Sequence, residues 1–192
     1  MIRPPAVAGQ FYKGSARALN QEVARYIETD TTQIEAIGAV CPHAGFMYSG
    51  HVAGAVYSRL VMPEIFVLLG PNHTGLGQSV SMMPSGRWEV PNGSFDIDEN
   101  LAKKIFLLSE GTVAKDERAH LFEHSLEVQL PFIAYFGKPV RIVPIAFMRI
   151  SLEECLKVGE AIAMAIKDTE VPVTMIASTD MSHYVSDSVA RK

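Results

Sequence analysis

Residues 65–71 read IFVLLGP, and this stretch decides the fold class. Its first five residues form an unbroken apolar run, which is typical of a strand that is buried on both faces, and the Gly-Pro pair ends the strand. A sheet that is buried on both faces needs helices above and below it. The run therefore predicts the centre of a three-layer α/β fold.

The segments on either side of this run alternate between strand-like and helical patterns. Short apolar runs predict strands at 37–41, 80–83, 141–147 and 173–177, and a hairpin at 88–95. Apolar residues at helical spacing predict helices at 17–28, 49–60, 99–108, 123–136 and 152–167, with Ser49 as a cap. Helices of this length between strands imply right-handed crossovers. We expect a mostly parallel or mixed central sheet with helices on both faces, in one domain over residues 1–192.

Composition excludes several classes of protein. The 192 residues carry a formal net charge of -4 and no stripe of basic residues, so we expect no nucleic-acid partner. The first residues lack the apolar segment of a secretory signal, and no apolar run is long enough to span a bilayer, so we expect a cytoplasmic protein without a membrane partner. Two cysteines do not make a disulfide framework, and both Cys41 and Cys155 are interpreted as buried core residues. The alternative for Cys41 is that it shares a metal ion with His43, two residues further on.

Histidines follow the ends of three predicted strands. His43 lies two residues after the run 37–41, and His73 lies four residues after the run 65–69. His183 lies six residues after the run 173–177, with Asp180 one helical turn before it. Ligands of open α/β sheets bind beyond the carboxyl ends of the strands. We therefore expect these four side chains to form one polar site.

A fourth histidine, His124, opens the helix predicted from residue 123, and Glu127 would share its helical face. Two imidazoles with a carboxylate or thiolate form a ligand set for iron, zinc or copper, and an open coordination position makes such a site catalytic. The alternative is that the histidines are caps, surface groups or satisfied core residues. His51 and His120 have no comparable placement.

Two other kinds of site are weighed against a metal centre. The glycine-rich turn 70–77 offers backbone N–H groups for an anion, but it carries no nucleotide-binding motif. Several serines lie near the histidines, yet the strand-turn-helix motif of serine hydrolases is missing. Two alternative functions therefore remain, a peptide- or anion-binding module and a hydrolase, and both are less well supported than a metal site.

Five motifs resemble, in order, those of the Memo family. They are residues 3–12 (RPPAVAGQFY), 42–50 (PHAGFMYSG), 70–73 (GPNH), 123–132 (EHSLEVQLPF) and 178–184 (STDMSHY). That family is similar in structure to the class III extradiol dioxygenases, which are non-haem Fe(II) enzymes that open catechol rings. The resemblance implies the same three-layer fold for this chain.

The resemblance also implies roles for individual residues. His43 and His73 would be metal ligands, and His124, Asp180 and His183 would be catalytic groups in or beside the pocket. The metal would be Fe(II) or copper, ahead of zinc, and would support redox or dioxygenase-like chemistry on an unknown substrate. Family members have also been linked to adaptor roles in signalling and, in prokaryotes, to a radical-SAM partner, so the same pocket could instead capture a peptide or anion without catalysis.

One departure from the family pattern concerns the end of the chain. Family members continue for several dozen residues past the last motif, and that extension supplies a cysteine that completes the ligand set. This sequence ends at Lys192. The resemblance therefore predicts a shortened domain that lacks the third ligand and binds metal weakly or not at all. Apolar surface exposed by the shortening would favour a homo-oligomer.

Overall fold

The structure is a computed structural model that describes all residues from Met1 to Lys192. The strands are β1 (Ile2–Arg3), β2 (Gly38–Cys41), β3 (Ile65–Pro71), β4 (Val80–Met82), β5 (Arg87–Val90), β6 (Gly93–Asp96), β7 (Ala114–Lys115), β8 (Arg141–Phe147) and β9 (Val173–Ser178). The helices are α1 (Ala16–Ala24), α2 (Phe46–Ser58), α3 (Glu99–Leu108), α4 (Leu130–Tyr135), α5 (Leu152–Lys167) and α6 (Asp187–Ala190). Two 3₁₀ turns cover Arg118–His120 and Glu127–Gln129.

A mixed six-stranded sheet forms the centre of the molecule, in the order β2-β9-β3-β8-β4-β7. The first four strands are parallel, and β4 runs antiparallel to β8. The sheet is therefore mostly parallel, as predicted. Because β2, β9 and β3 are parallel neighbours, their carboxyl ends meet at one edge of the sheet, and this places the segments after Cys41, Pro71 and Ser178 together.

The central strand β3 is buried along nearly its whole length, which confirms the interpretation of residues 65–71. Helices pack in two groups, α1 and α2 with α4, and α3 with α5. The α/β class with helices around a mixed sheet is thus confirmed. Nearly all of the buried hydrophobic residues form one continuous cluster. None of the helices combines the length and apolarity needed for a membrane span.

A second, three-stranded sheet in the order β1-β5-β6 places the N-terminal segment beside the main body. In it β1 pairs in parallel with β5, with Arg3 opposite Trp88, and β5 and β6 form the predicted hairpin. This pairing buries Arg3 completely.

The helix predicted for residues 123–136 is wrong at its start. The helix α4 begins only at Leu130, after the 3₁₀ turn Glu127–Gln129. The carboxylate of Glu123 accepts hydrogen bonds from the backbone N–H groups of His124 and Ser125, which holds this stretch in a turn. His124 and Glu127 therefore do not share a helical face, because Glu127 is fully buried against the N-terminal segment.

Two smaller predictions are also wrong. Helix α2 begins at Phe46, so Ser49 lies inside it and donates its hydroxyl hydrogen bond to the carbonyl of Ala44 rather than capping the helix. Cys155 is exposed on α5, because the helix turns this position away from its buried stripe. Cys41 is buried, as predicted.

Candidate metal centre

Three imidazoles converge at the edge of the sheet where β2, β9 and β3 end. The ligand nitrogens of His43, His73 and His124 all lie within 4.8 Å of one another. The ring centroids of His73 and His124 are 4.5 Å apart in a stacked arrangement, and the ring of His43 lies edge-on to both. Such convergence is the geometry that a metal ion requires of nitrogen ligands.

A hydrogen-bond chain sets the orientation of the His43 ring. The Ser178 hydroxyl donates to the carbonyl of Ser125 at 2.6 Å and accepts from the Gln129 amide at 2.8 Å. Because its one proton is used, Ser178 can only accept from His43 Nδ1, which lies 3.2 Å away. The proton of neutral His43 is thus on Nδ1, and Nε2 carries a lone pair.

The Nε2 atom of His43 is buried and has no hydrogen-bond partner in the protein. Burial in turn lowers the pKa of the imidazole, against the opposing effect of Asp180. A buried lone pair without a donor is costly unless something binds it. The atom is therefore suited to coordinate a metal ion.

Glu123 sets the orientation of the His73 ring. Its Oε1 accepts from His73 Nδ1 at 2.8 Å, and Oε2 accepts from the backbone N–H of His73. Burial would raise the pKa of Glu123, but the hydrogen bonds from the side chain of His73 and from the backbone N–H groups of Ser125 and His73 outweigh it and lower that pKa. The carboxylate is therefore ionised, and the lone pair of His73 lies on Nε2. A carboxylate that orients a histidine in this way is common at protein metal sites.

His124 lies between the other two histidines and the N-terminal segment. Its ring packs against the ring of Phe11 with 4.5 Å between centroids, and its Nδ1 lies 3.4 Å from Glu123 Oε1. Burial lowers the pKa of His124, partly offset by the charge of Glu123. A neutral imidazole at this position can bind a metal ion or accept a proton.

Asp180 and His183 lie next to this cluster on the segment after β9. Asp180 Oδ1 accepts from the backbone N–H groups of His43 and Ala44, at 2.6 and 3.1 Å. Asp180 Oδ2 is 3.9 Å from His43 Nε2 and 3.6 Å from His183 Nε2, and the His183 side chain is exposed. His43, Asp180 and His183 form a second group whose ligand atoms lie within 4.8 Å.

The sequence matches the model of the Memo-like protein family over residues 3–190. The chain belongs to the Memo-like protein family. This match and the five motifs agree, because both extend over almost the entire chain.

Relatives within the Memo-like family come from several archaea. A MEMO1 family protein of Methanothermobacter thermautotrophicus is 42% identical over 202 residues, covering 99% of this chain and 73% of the relative. One from Methanococcoides burtonii is 40% identical, covering 100% of this chain and 72% of the relative. One from Pyrococcus furiosus is 43% identical, covering 96% of this chain and 66% of the relative.

The Memo-like chain brings together all five predicted site residues, namely His43, His73, His124, Asp180 and His183. Sequence reasoning gave no orienting role to Glu123, Ser178 or Gln129, whose hydrogen bonds orient the histidine rings, and considered Ser178 only as one of the serines near the histidines. Glu123 directly precedes His124 in a quoted motif, so the adjacency of a carboxylate and an imidazole was the available signal. Cys41 belongs to neither group of candidate ligands.

Proposed function

We propose that this Memo-like protein binds a first-row transition metal ion, Fe(II) or copper ahead of zinc, through His43, His73 and His124. The observation that carries this proposal is the buried, unpartnered Nε2 of His43, facing two further imidazoles. At metal–nitrogen bonds of about 2.1 Å, tetrahedral ligand atoms are roughly 3.4 Å apart. The three nitrogens lie within 4.8 Å of one another, so they would have to approach by up to about 1.4 Å to reach this spacing.

The three donors are all imidazoles, which suit iron, copper and zinc alike, so the ranking of iron and copper ahead of zinc comes from the family resemblance and not from the donors. A bound iron or copper ion would supply redox chemistry, and three protein ligands leave coordination positions open for a substrate. This proposal assigns His124 to the ligand set, whereas the sequence suggested a purely catalytic role. His183 remains proposed as the group that moves protons, because it is exposed beside the centre. Asp180, which backbone N–H groups fix in place, is proposed to orient a histidine or to act as a substitute ligand.

Anaerobic titration of the metal-free protein with Fe(II), Cu and Zn, followed by elemental analysis, tests the proposal. We expect one equivalent of metal on the wild type and none on the His43→Ala/His73→Ala variant. His51→Ala is the matched control, because His51 is exposed on α2 and belongs to neither group of candidate ligands. The proposal fails if the wild type retains no more metal than the double variant.

The redox part of the proposal has its own readout. Oxygen uptake by the metal-loaded protein in the presence of a reductant should exceed that of the loaded His183→Ala variant if His183 moves protons during turnover. Uptake no greater than that of free metal would remove the redox chemistry and leave metal binding alone.

Substitution of Glu123 by glutamine should raise the metal Kd by about 10–100-fold, the usual cost of removing a group that orients a ligand. A neutral amide cannot hold the Nδ1 proton of His73 as strongly as the carboxylate does. Competition titration against a chelator measures the change. Glu153→Gln, an exposed substitution on α5, provides the control and should leave Kd unchanged. Equal affinities for the two variants would contradict the orienting role.

A further inference from the structure

A fully buried arginine lies behind the candidate metal centre. The guanidinium of Arg3 donates from Nε to the carbonyl of His120 at 2.6 Å and from Nη2 to the carbonyl of Glu123 at 2.8 Å. Its Nη1 donates to Glu127 Oε2 at 2.7 Å, and the group lies 4.0 Å from the centre of the Trp88 ring. All three nitrogens of the planar guanidinium therefore donate hydrogen bonds to the loop of residues 120–127.

This loop carries two groups of the candidate centre. The side chains of Glu123 and His124 contact His73, and the backbone carbonyl of Glu123 accepts a hydrogen bond from Arg3. A shift of the Glu123 carbonyl would move its carboxylate and the adjoining imidazole together, since they share the same short stretch of backbone. Lysine cannot replace the contact, because an ammonium lacks the rigid planar fork of donors.

Glu127 connects the same loop to the N-terminal segment. Its Oε1 accepts from the Tyr12 hydroxyl at 2.5 Å and from the Val7 N–H at 3.0 Å, and its Oε2 accepts from the Ala6 N–H at 2.7 Å. That segment also carries Phe11, whose ring packs on His124. Both the loop that carries His124 and the N-terminal segment that packs on its ring are thus fixed by the buried ion pair of Arg3 and Glu127.

We propose that Arg3 is a positioning residue for the metal centre, which acts through the loop 120–127 to set the placement of Glu123 and His124. The inference rests on the proposed function for its consequence in metal affinity. The consequence in the metal-free protein is independent of the proposed function, because there Arg3 fixes the orientation of the His73 and His124 rings through the same contacts.

The variant Arg3→Lys tests this, because it keeps the charge beside Glu127 but loses the planar fork. The main readout is the long-range ¹H–¹⁵N spectrum of the imidazoles in the metal-free protein. In the wild type we expect His73 as the Nδ1–H tautomer, held by Glu123. In Arg3→Lys we expect a mixture of tautomers at His73 and shifted ring signals at His124. Wild-type signals in a folded Arg3→Lys protein would overturn the proposal.

A core variant separates positioning from general loss of stability. Ile105→Val removes one methylene group from a fully buried side chain in α3, outside the Arg3 contacts, at a cost of about 0.5–1.5 kcal/mol. It should leave the imidazole signals unchanged, and changes equal to those of Arg3→Lys would also overturn the proposal. In metal titrations Arg3→Lys should raise Kd about tenfold while Ile105→Val does not. If the wild type binds no metal, the proposed function fails and the imidazole spectra still decide the role of Arg3.

Discussion

Replacing Glu127 with leucine is expected to lower the free energy of unfolding by about 3–5 kcal/mol, the usual cost of breaking a buried ion pair by removing one partner. The side chains of Arg3 and Glu127 are both fully buried, so the arginine would keep its charge without a counterion. The Tyr12 hydroxyl and the N–H groups of Ala6 and Val7 would also lose their acceptor. Urea denaturation at neutral pH measures the difference, which is a large fraction of a typical domain's stability.

Two further variants show whether the buried charge is the cause. Tyr12→Phe removes a single hydrogen bond to the Glu127 carboxylate and should cost less, about 1.5–3 kcal/mol, the usual range for a hydrogen bond to a charged group. The double variant Arg3→Met/Glu127→Leu removes both charges and should recover part of the loss, because an apolar pair of similar volume often replaces a buried ion pair without penalty. A cost for Glu127→Leu no greater than that for Tyr12→Phe would contradict this account.

The general position of the site could be predicted because it depends on sheet topology alone. Residues 65–69 are apolar without interruption, so β3 had to be an inner strand. Parallel neighbours end at the same edge, and this brings His43, His73 and Asp180 together before any side-chain detail is considered. The apolar pattern of the strands and the positions of their ends were therefore enough to predict where the site lies.

The groups that orient the ligands could not be predicted, because their contacts join segments far apart in sequence. Arg3 meets Glu127 across 124 residues, and His43 meets Ser178 across 135. Helical spacing in residues 123–136 also suggested a regular helix where Glu123 instead binds backbone N–H groups and bends the chain. Local pattern takes no account of such tertiary hydrogen bonds, and for this reason the pairing of His124 with Glu127 was wrong.

These contacts also explain why the loop 120–127, which has only 3₁₀ turns at its two ends, can still hold a defined site. A loop without a helical or sheet ladder must satisfy its backbone groups in other ways. Here the carboxylate of Glu123 accepts hydrogen bonds from the N–H groups of His124 and Ser125. The guanidinium of Arg3 donates hydrogen bonds to the carbonyls of His120 and Glu123. The same two side chains therefore satisfy the loop and fix the candidate ligands on it.

His120, at the start of this loop, is expected to make the protein sensitive to acid. The side chain is fully buried beside Trp88, and neither ring nitrogen has a hydrogen-bond partner. Burial, reinforced by the charge of Arg3, lowers its pKa from 6.5 to about 4. Between these two values the unfolded chain binds a proton that the folded chain does not, so stability falls as the pH drops from 6.5 towards 4 and this effect levels off below.

The expected size of the effect is about 3 kcal/mol, since each unit of pKa difference is worth 1.36 kcal/mol. His43 and His124 also have lowered pKa values and change stability in the same direction, so the wild-type curve alone does not isolate His120. Urea denaturation of wild type and His120→Phe at a series of pH values from 7.5 to 4 does isolate it. The aromatic replacement can keep packing against Trp88 but cannot bind a proton. The stability of His120→Phe relative to wild type should rise by about 3 kcal/mol over that range.

The exposed substitution His51→Phe serves as the control for removal of a histidine as such. A constant difference between His120→Phe and wild type across the pH series would show that His120 has the same pKa in the folded and the unfolded protein, and the burial argument would then be wrong.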